Sequence, residues 1–379
     1  MVSIRPTLTV ETSGDFEKAI GDSLSEGALV TKQEWQDLLH SSASNVVFMT
    51  WQWQSLWWRH FGAPDGCQLH LLVIRDTGGA LVGIAPLFVA LEPLPPARPY
   101  TPRVPRPTGE GPPLRIVRMV GNIEVADYLD VICPPHRLAE VWGVVLDYLL
   151  AHRDQWDVID LHSLPGFSPS WQVLPDVVGR RGLQAQVFPE DVCPVLPLPD
   201  SWDSYLMSLK KKDRHELRRK VRKLEGRDDV RWYLVPRRNH DAMTAKMRTF
   251  LDLHRKSGAE KARFMDPRMQ GFFLDMADSL IDTDWLDLAI LEIGGEPASA
   301  YLSYHYGDRL YLYNSGYDPK FAAYSAGVAL LAYRIHKAIL QGIKYFDFLR
   351  GDEPYKYDFG ARTTYVYRGL IAAGDAMLA

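Results

Sequence analysis

The sequence predicts an α/β protein, with α+β mixed sheets, built from two similar halves in tandem. Three observations carry that expectation. A glycine-turned hairpin occurs twice: Leu71 to Val89 turns at Gly78 and Gly79, and Leu288 to Tyr304 turns at Gly294 and Gly295. Glycine supplies the positive φ that tight hairpins demand. Each hairpin is followed by another strand, an amphipathic helix and a strand bearing an aspartate, Asp160 in Trp156 to Leu161 and Asp347 in Tyr345 to Leu349. At 379 residues, the chain is also longer than single hydrophobic cores usually grow. Hairpins that lead into strand-helix-strand crossovers imply mixed sheets flanked by helices.

The two copies differ in length. Gly79 and Asp160 are 81 positions apart, Gly295 and Asp347 only 52, so the first copy carries about 29 extra residues. Their source is Glu92 to Pro113, a proline-rich stretch with Arg98, Arg103 and Arg106 whose composition favours an extended loop. A helix from about Ser201 to Leu224 is expected to join the halves, with Trp202, Tyr205, Leu206, Leu209, Leu217, Val221 and Leu224 at helical spacing. Val230 to Val235 then reads as the first strand of the second copy, with helices near Asp241 to Arg255 and Pro267 to Ser279. The expected division is an N-terminal extension over 1–45, a first lobe over 46–200 and a second over 201–379.

Composition narrows the classes. A formal charge of −4 and a pI near 6.3 argue against a protein that is basic overall and coats nucleic acid or anionic membrane. Cys67, Cys133 and Cys193 lack the paired spacing of metal or redox sites, which predicts no metal and a reducing, cytoplasmic setting. Met1 to Lys18 does not read as a secretion signal, and Leu81 to Leu91, the most apolar stretch, holds Gly83 and Pro86 and is too short to span a bilayer. There is no Gly-x-Ser-x-Gly elbow, His-Glu-x-x-His helix or Walker-type loop.

The C-terminal half carries a more specific signal. Leu310-Tyr-Leu-Tyr-Asn-Ser-Gly-Tyr-Asp318, Tyr324-Ser-Ala-Gly327, a helix, and Tyr345-Phe-Asp-Phe-Leu-Arg-Gly-Asp-Glu-Pro-Tyr-Lys356 form a run that resembles the signature of CelD/BcsL-type acetyltransferases, in the GNAT and FemABX-like superfamily. The resemblance extends from about Val46 to Leu370 and includes Phe48-Met-Thr-Trp51 and an Asp127-Tyr-Leu-Asp130 strand. It implies tandem GNAT-like lobes, a FemABX-like architecture, and acyl transfer in the second lobe.

Within that frame the residues suggest roles. Lys320 to Gly327 leads from a strand into a helix, so Lys320, Tyr324, Ser325 and Gly327, with Asn314 and Ser315, are candidates for binding an acyl-CoA donor at the helix start. An ordinary helix start capped by Ser325 is the alternative, and a single glycine departs from the double-glycine pattern of GNAT enzymes. Lys356 lies in Tyr355-Lys356-Tyr-Asp-Phe359, similar to the FemABX-like aromatic-Lys-x-x-Phe motif whose lysine is implicated at the reacting carbonyl, and its cation would stabilise an oxyanion. Asp347 would orient Lys356 or an acceptor amine, or bond to backbone; Glu353 would take the amine proton, or stand solvated. His254, Arg255, Arg350 and Tyr355 are candidates for binding substrate, with His254 also suited to complement a helix dipole.

A run of Lys210, Lys211, Lys212, Arg214, Arg218, Arg219, Lys220, Arg222 and Lys223 would attract a phosphate-rich ligand or form a solvated face. The expected activity is N-acyl transfer from a thioester, acyl-CoA, to an amine on a small molecule, an amino sugar, a polysaccharide precursor or a cell-wall peptide. The alternatives are a FemABX-like transferase that takes its acyl group from aminoacyl-tRNA, and a non-catalytic module that binds an anionic ligand.

Overall fold

The computed structural model of the chain describes residues 8–24, 27–101, 109–121 and 125–372. The chain divides into two compact units, one of Met1–Val192 with Tyr365–Ala379, the other of Cys193–Thr364.

In the first unit, β1 (Thr9–Ser13) pairs with β4 (Gln68–Arg75), β4 with β5 (Leu81–Glu92), and β5 with β6 (Leu114–Met119), all antiparallel. The short strands β2 (Ile20–Gly21) and β3 (Val30–Thr31) pair separately. After β6 the chain crosses through the Leu138–Ala151 helix to β7 (Val158–Pro165), which pairs parallel to β6. The sheet then continues through β15 (Tyr365–Ala372) to β8 (Gln184–Val192), both contacts antiparallel.

The second unit repeats the order. β10 (Val230–Leu234), β11 (Leu286–Ile293), β12 (Glu296–Tyr306) and β13 (Arg309–Tyr317) form an antiparallel meander. The Ala326–Leu340 helix then crosses to β14 (Tyr345–Asp347), parallel to β13, and β9 (Val195–Pro197) closes the far edge. The β11–β12 hairpin turns on two successive positive φ values, 61° at Gly294 and 79° at Gly295, which only glycine accepts without strain. All eight residues of β11 are buried, because helices cover both faces of the sheet.

Several expectations are corrected. The described part of the expected extension over 1–45 belongs to the first unit: β1 joins its sheet, and the Lys32–Ser41 helix buries Trp35, Leu38 and Leu39. The end of the expected second lobe belongs to the first unit, since β15 inserts between β7 and β8. The joining helix is two, Trp202–Ser208 and Lys211–Glu225, broken where Leu209 and Lys210 take extended backbone and Leu209 is buried. Asp127 to Asp130 is not a strand; the buried Asp130 carboxylate accepts hydrogen bonds from Ser170 Oγ at 2.6 Å, Val131 N–H at 2.8 Å and Ser168 Oγ. In the proline-rich loop, Arg98 is described, while Arg103 and Arg106 lie outside the described residues.

Candidate active site

In the second unit β13 runs to Tyr317, yet its parallel pairing with β14 covers only Arg309 to Tyr311 against Tyr345 to Asp347. Beyond that point the strands part and leave a notch along the β13 edge. A bulge between Leu302 and Ser303 of β12 sets Tyr313 outside the register, which bends β13 at the place where the strands separate.

β14 ends because the chain turns sharply. Leu349 has a left-handed φ of 56° and Gly351 a φ of 113°. Two buried side chains hold the turn. Asp347 accepts from the Leu349 N–H at 2.9 Å and from Arg309 Nη1 at 2.8 Å. Lys356 Nζ donates to the carbonyls of Leu349 at 3.2 Å, Arg350 at 2.8 Å and Gly351 at 3.0 Å, and lies 2.9 Å from Glu353 Oε2.

These contacts change how Lys356 reads. Its three N–H bonds meet three backbone oxygens, so none is left over for an oxyanion. Asp347 does not orient Lys356; both clamp the same turn. Glu353 folds over that turn, so that a Cβ on Gly351 would lie 2.5 Å from Glu353 Oε2.

The polar groups of the notch come from elsewhere. The C-terminal end of the His240–Lys256 helix lies against β13 so closely that a Cβ on Gly316 would fall 2.5 Å from the His254 backbone nitrogen. Glycine is required there for close approach. His254 is 1% exposed, and its Nε2 donates to Asn314 Oδ1 at 2.9 Å. That oxygen also accepts the Ser315 N–H at 3.2 Å, which fixes the amide orientation and thereby the imidazole tautomer. His254 Nδ1 is therefore an unprotonated lone pair, buried and without a hydrogen-bond partner among the described residues. Burial, then the Lys261 charge, pushes the imidazole pKa down to about 4, against the hydrogen bond to Asn314.

Lys261, on the Ala259–Phe264 helix, donates to the Ser315 carbonyl at 2.7 Å and to Ser315 Oγ at 3.1 Å. Burial holds its pKa below the usual lysine value, and Glu353 opposes that shift. Asn314, Ser315, His254 and Lys261 thus form one connected group on the β13 edge.

The Ala326–Leu340 helix starts from Ser325, whose φ is 55° and whose side chain caps nothing, so the first helical N–H groups have no side-chain partner from that residue. The helix start lies over β12: Tyr301 Oη donates to the Gly327 carbonyl at 3.1 Å, and a Cβ on Gly327 would come within 3.8 Å of Ser299 Oγ. From the other side the Lys211–Glu225 helix and its end reach the same loop. Lys223 Nζ donates to the Ala323 carbonyl at 2.6 Å, and Arg227 stacks its guanidinium 4.7 Å from the Tyr324 ring centroid.

In this loop Lys320 forms an exposed pair with Glu296, and Arg255, a candidate for substrate at the end of the His240–Lys256 helix, forms an exposed pair with Asp252 at 2.5 Å. Tyr355 places its ring edge-on to Phe348 at 6.2 Å, and Arg350 is half-buried with its carbonyl bound by Lys356. Of the basic run, Arg219 and Lys220 pair with Glu216, whereas Arg218 and Arg222 are exposed on one face of their helix. Lys261, Ser299 and Tyr301 were missed by sequence reasoning. A lysine in Ala-Glu-Lys-Ala-Arg-Phe and alternate polar residues in an apolar strand carry no pattern that separates them from ordinary surface and sheet positions.

Residues 211–357, the stretch that builds this notch, match the family model for the acetyltransferase (GNAT) domain. The second unit is an acyltransferase domain. The GNAT match ends where the notch ends and leaves the first unit outside it. Across the whole chain the fold is that of tandem GNAT-like lobes. It is similar to the crystal structure of FemX, at 12% identity over 89% of this chain and 95% of that one, with a TM-score of 0.59. It is also similar to the C-terminal domain of a putative lysylphosphatidylglycerol synthetase from Agrobacterium fabrum, at 11% identity, 92% and 93% coverage and a TM-score of 0.52. L-PGS from Bacillus licheniformis matches at 11% identity, 89% and 90% coverage and a TM-score of 0.51. No curated protein matches the chain in sequence. Among the described residues, no helix is long and apolar enough to cross a membrane, and no group of three or more His, Cys, Asp or Glu residues is placed to hold a metal ion.

Proposed function

We propose that the chain is an N-acyltransferase of the CelD/BcsL kind, which moves an acyl group from a cytoplasmic acyl-CoA to an amine on an amino sugar, a polysaccharide or cell-envelope precursor. The observation that carries this reading is the β13 edge left without a strand partner beyond Tyr311, beside a helix start that the Ser325 side chain does not cap. An extended thioester arm fits the Leu312 and Tyr313 part of such an edge, since Ser315 and Tyr317 are held by Asn314, Lys261 and Ser257, and its diphosphate fits the N–H groups at Ala326 to Val328.

The chemistry follows from the groups on that edge. The amine nitrogen attacks the thioester carbonyl carbon, the carbonyl oxygen takes up negative charge, and the carbon–sulfur bond then breaks to release a thiol. Backbone N–H groups on the β13 edge short of Ser315 are the oxyanion donors in this scheme, because Lys356 is fully occupied and the Ser315 N–H is bonded to Asn314 Oδ1. The departing thiolate takes up the proton that the attacking nitrogen loses, directly or through one water. His254 does not take that proton in this scheme: its Nδ1 is buried, its Nε2 is turned to Asn314, and its pKa of about 4 makes it a weak base. Lys261 holds Ser315, and thus the β13 edge, in place.

Incubation of the purified chain with a panel of acyl-CoAs and amino sugars, with mass detection of the acylated amine, tests the reading. Transfer from at least one acyl-CoA is expected. Transfer from aminoacyl-tRNA alone would move the donor to the alternative class, for which the exposed Arg218 and Arg222 face would be the contact. Transfer from neither would remove the enzymatic reading.

A further inference from the structure

The second unit holds a buried cationic group away from the notch. The Ala326–Leu340 helix begins over Ser299 and Tyr301, and by Arg334 it has reached Asp287 near the start of β11, opposite Ser303 near the end of β12. Arg334 is completely buried. Its Nη2 donates to Asp287 Oδ2 at 2.7 Å, while Nε and Nη1 have no partner among the described residues.

The neighbours share that condition. Asp287 and Ser303 are directly paired in the ladder, so their side chains stand on one face, and His305 lies two residues further along the same face. Ser303 Oγ is buried and unpartnered. Arg237 Nη2 lies 3.5 Å from Asp287 Oδ2 and is likewise without a hydrogen bond. Two guanidinium groups thus face one carboxylate. Burial, then the Arg237 and Arg334 charges, holds the His305 pKa below its ordinary value, so the histidine adds no positive charge near neutral pH. Four buried polar atoms, Arg334 Nε and Nη1, Arg237 Nη2 and Ser303 Oγ, remain without partners among the described residues, beside two guanidinium groups that share one carboxylate.

Buried polar groups in folded proteins are nearly always satisfied, and buried charge is nearly always paired. We infer that Arg334, Arg237, Ser303 and His305 form a binding site for one compact oxyanion, a phosphoryl or carboxylate group carrying a single negative charge. Its chemistry suits the donors: guanidinium N–H groups and a hydroxyl are the usual partners of such oxygens. The way in is at Arg237 and His305, because the Arg237 side chain is 28% exposed and His305 is half-buried. No residue of the β13 notch takes part, so this inference and the proposed transfer reaction stand or fall separately.

The test is titration calorimetry on the full chain with sodium phosphate and, separately, sodium acetate, each against sodium chloride at constant ionic strength. Saturable uptake of one anion per chain is expected, and the anion preferred tells a phosphoryl ligand from a carboxylate one. Arg237→Gln and Ser303→Ala should each weaken it about tenfold or more, the usual effect of losing a charged or buried hydrogen-bond partner. Arg334→Met alone would strand the Asp287 carboxylate, so Arg334→Met with Asp287→Asn is the companion variant, and it should abolish uptake. Arg218→Glu with Arg222→Glu should leave uptake unchanged, which separates this site from the basic helix. Failure of both anions to bind saturably, or unchanged affinity in Arg237→Gln and Ser303→Ala, would overturn the inference.

Discussion

Replacing Lys356 by methionine keeps the length of the side chain and removes its charge. If Lys356 acted on substrate, turnover would fall and stability would not. The contacts predict a different outcome. Lys356 is 2% exposed, and its ammonium serves three carbonyls in a turn that contains a left-handed leucine. The carbonyls of half-buried Arg350 and Gly351 can turn to water after the substitution, and the ion pair with exposed Glu353 contributes little. The Leu349 carbonyl is buried and cannot. Stranding it, with loss of part of the other two bonds, costs about 3 kcal/mol. In a unit of this size, each kcal/mol moves the melting temperature by about 2–4 °C, so a drop of roughly 6–12 °C is expected. Differential scanning calorimetry of parent and variant measures it, with turnover assayed well below both transitions. A melting temperature within about 2 °C of the parent, together with turnover down about a hundredfold, would refute the structural role and return Lys356 to the reacting carbonyl.

Three further outcomes are expected. His254 is held at a pKa of about 4 in the folded state against an ordinary value of 6.5, so the unfolded chain takes up the proton first as pH falls. Its contribution is present in full above about pH 6.5, is lost progressively toward pH 4, and amounts to about 3 kcal/mol. His254→Gln should flatten the denaturant-measured stability curve across that window, and an unchanged slope would show that other groups govern it. At Gly327 a Cβ meets only Tyr301 Oη at 3.6 Å and Ser299 Oγ at 3.8 Å, so Gly327→Ala should fold and gain about 0.5–1 kcal/mol. If it also binds acyl-CoA as the parent does, the close approach of a diphosphate is disproved, and Gly327→Val should repeat that result. Finally, Arg218→Glu with Arg222→Glu should raise KM for an anionic donor and reduce its salt dependence; identical kinetics at low and high salt would leave the helix as a solvated face.

What the sequence determined by itself is the repeated unit. The glycine pairs at 78–79 and 294–295, the apolar strands around them, and the aspartates 160 and 347 are local signals, because turn conformation and strand alternation depend on residues close in the chain. The elements around the notch were legible for the same reason: the run from Leu310 to Lys356 is nearly contiguous, and it places Asn314 and Ser315 on a strand and Gly327 at the start of the helix that follows. What only the tertiary structure decided is which distant groups meet. Strand pairing put β15 in the first sheet, 173 positions from the end of β8 at Val192 to Tyr365, and nothing in Tyr365 to Ala372 specifies that partner. The same holds for side chains. A lysine at 356 looks equally suited to an oxyanion or to a backbone turn until its three carbonyl partners are placed. Lys261 gains meaning only from Ser315, and Arg334, one basic residue in an apolar helix, only from the company of Asp287 and Arg237. Spacing along the chain encodes which face a residue occupies, but burial and charge pairing arise between segments and are written nowhere in either one alone.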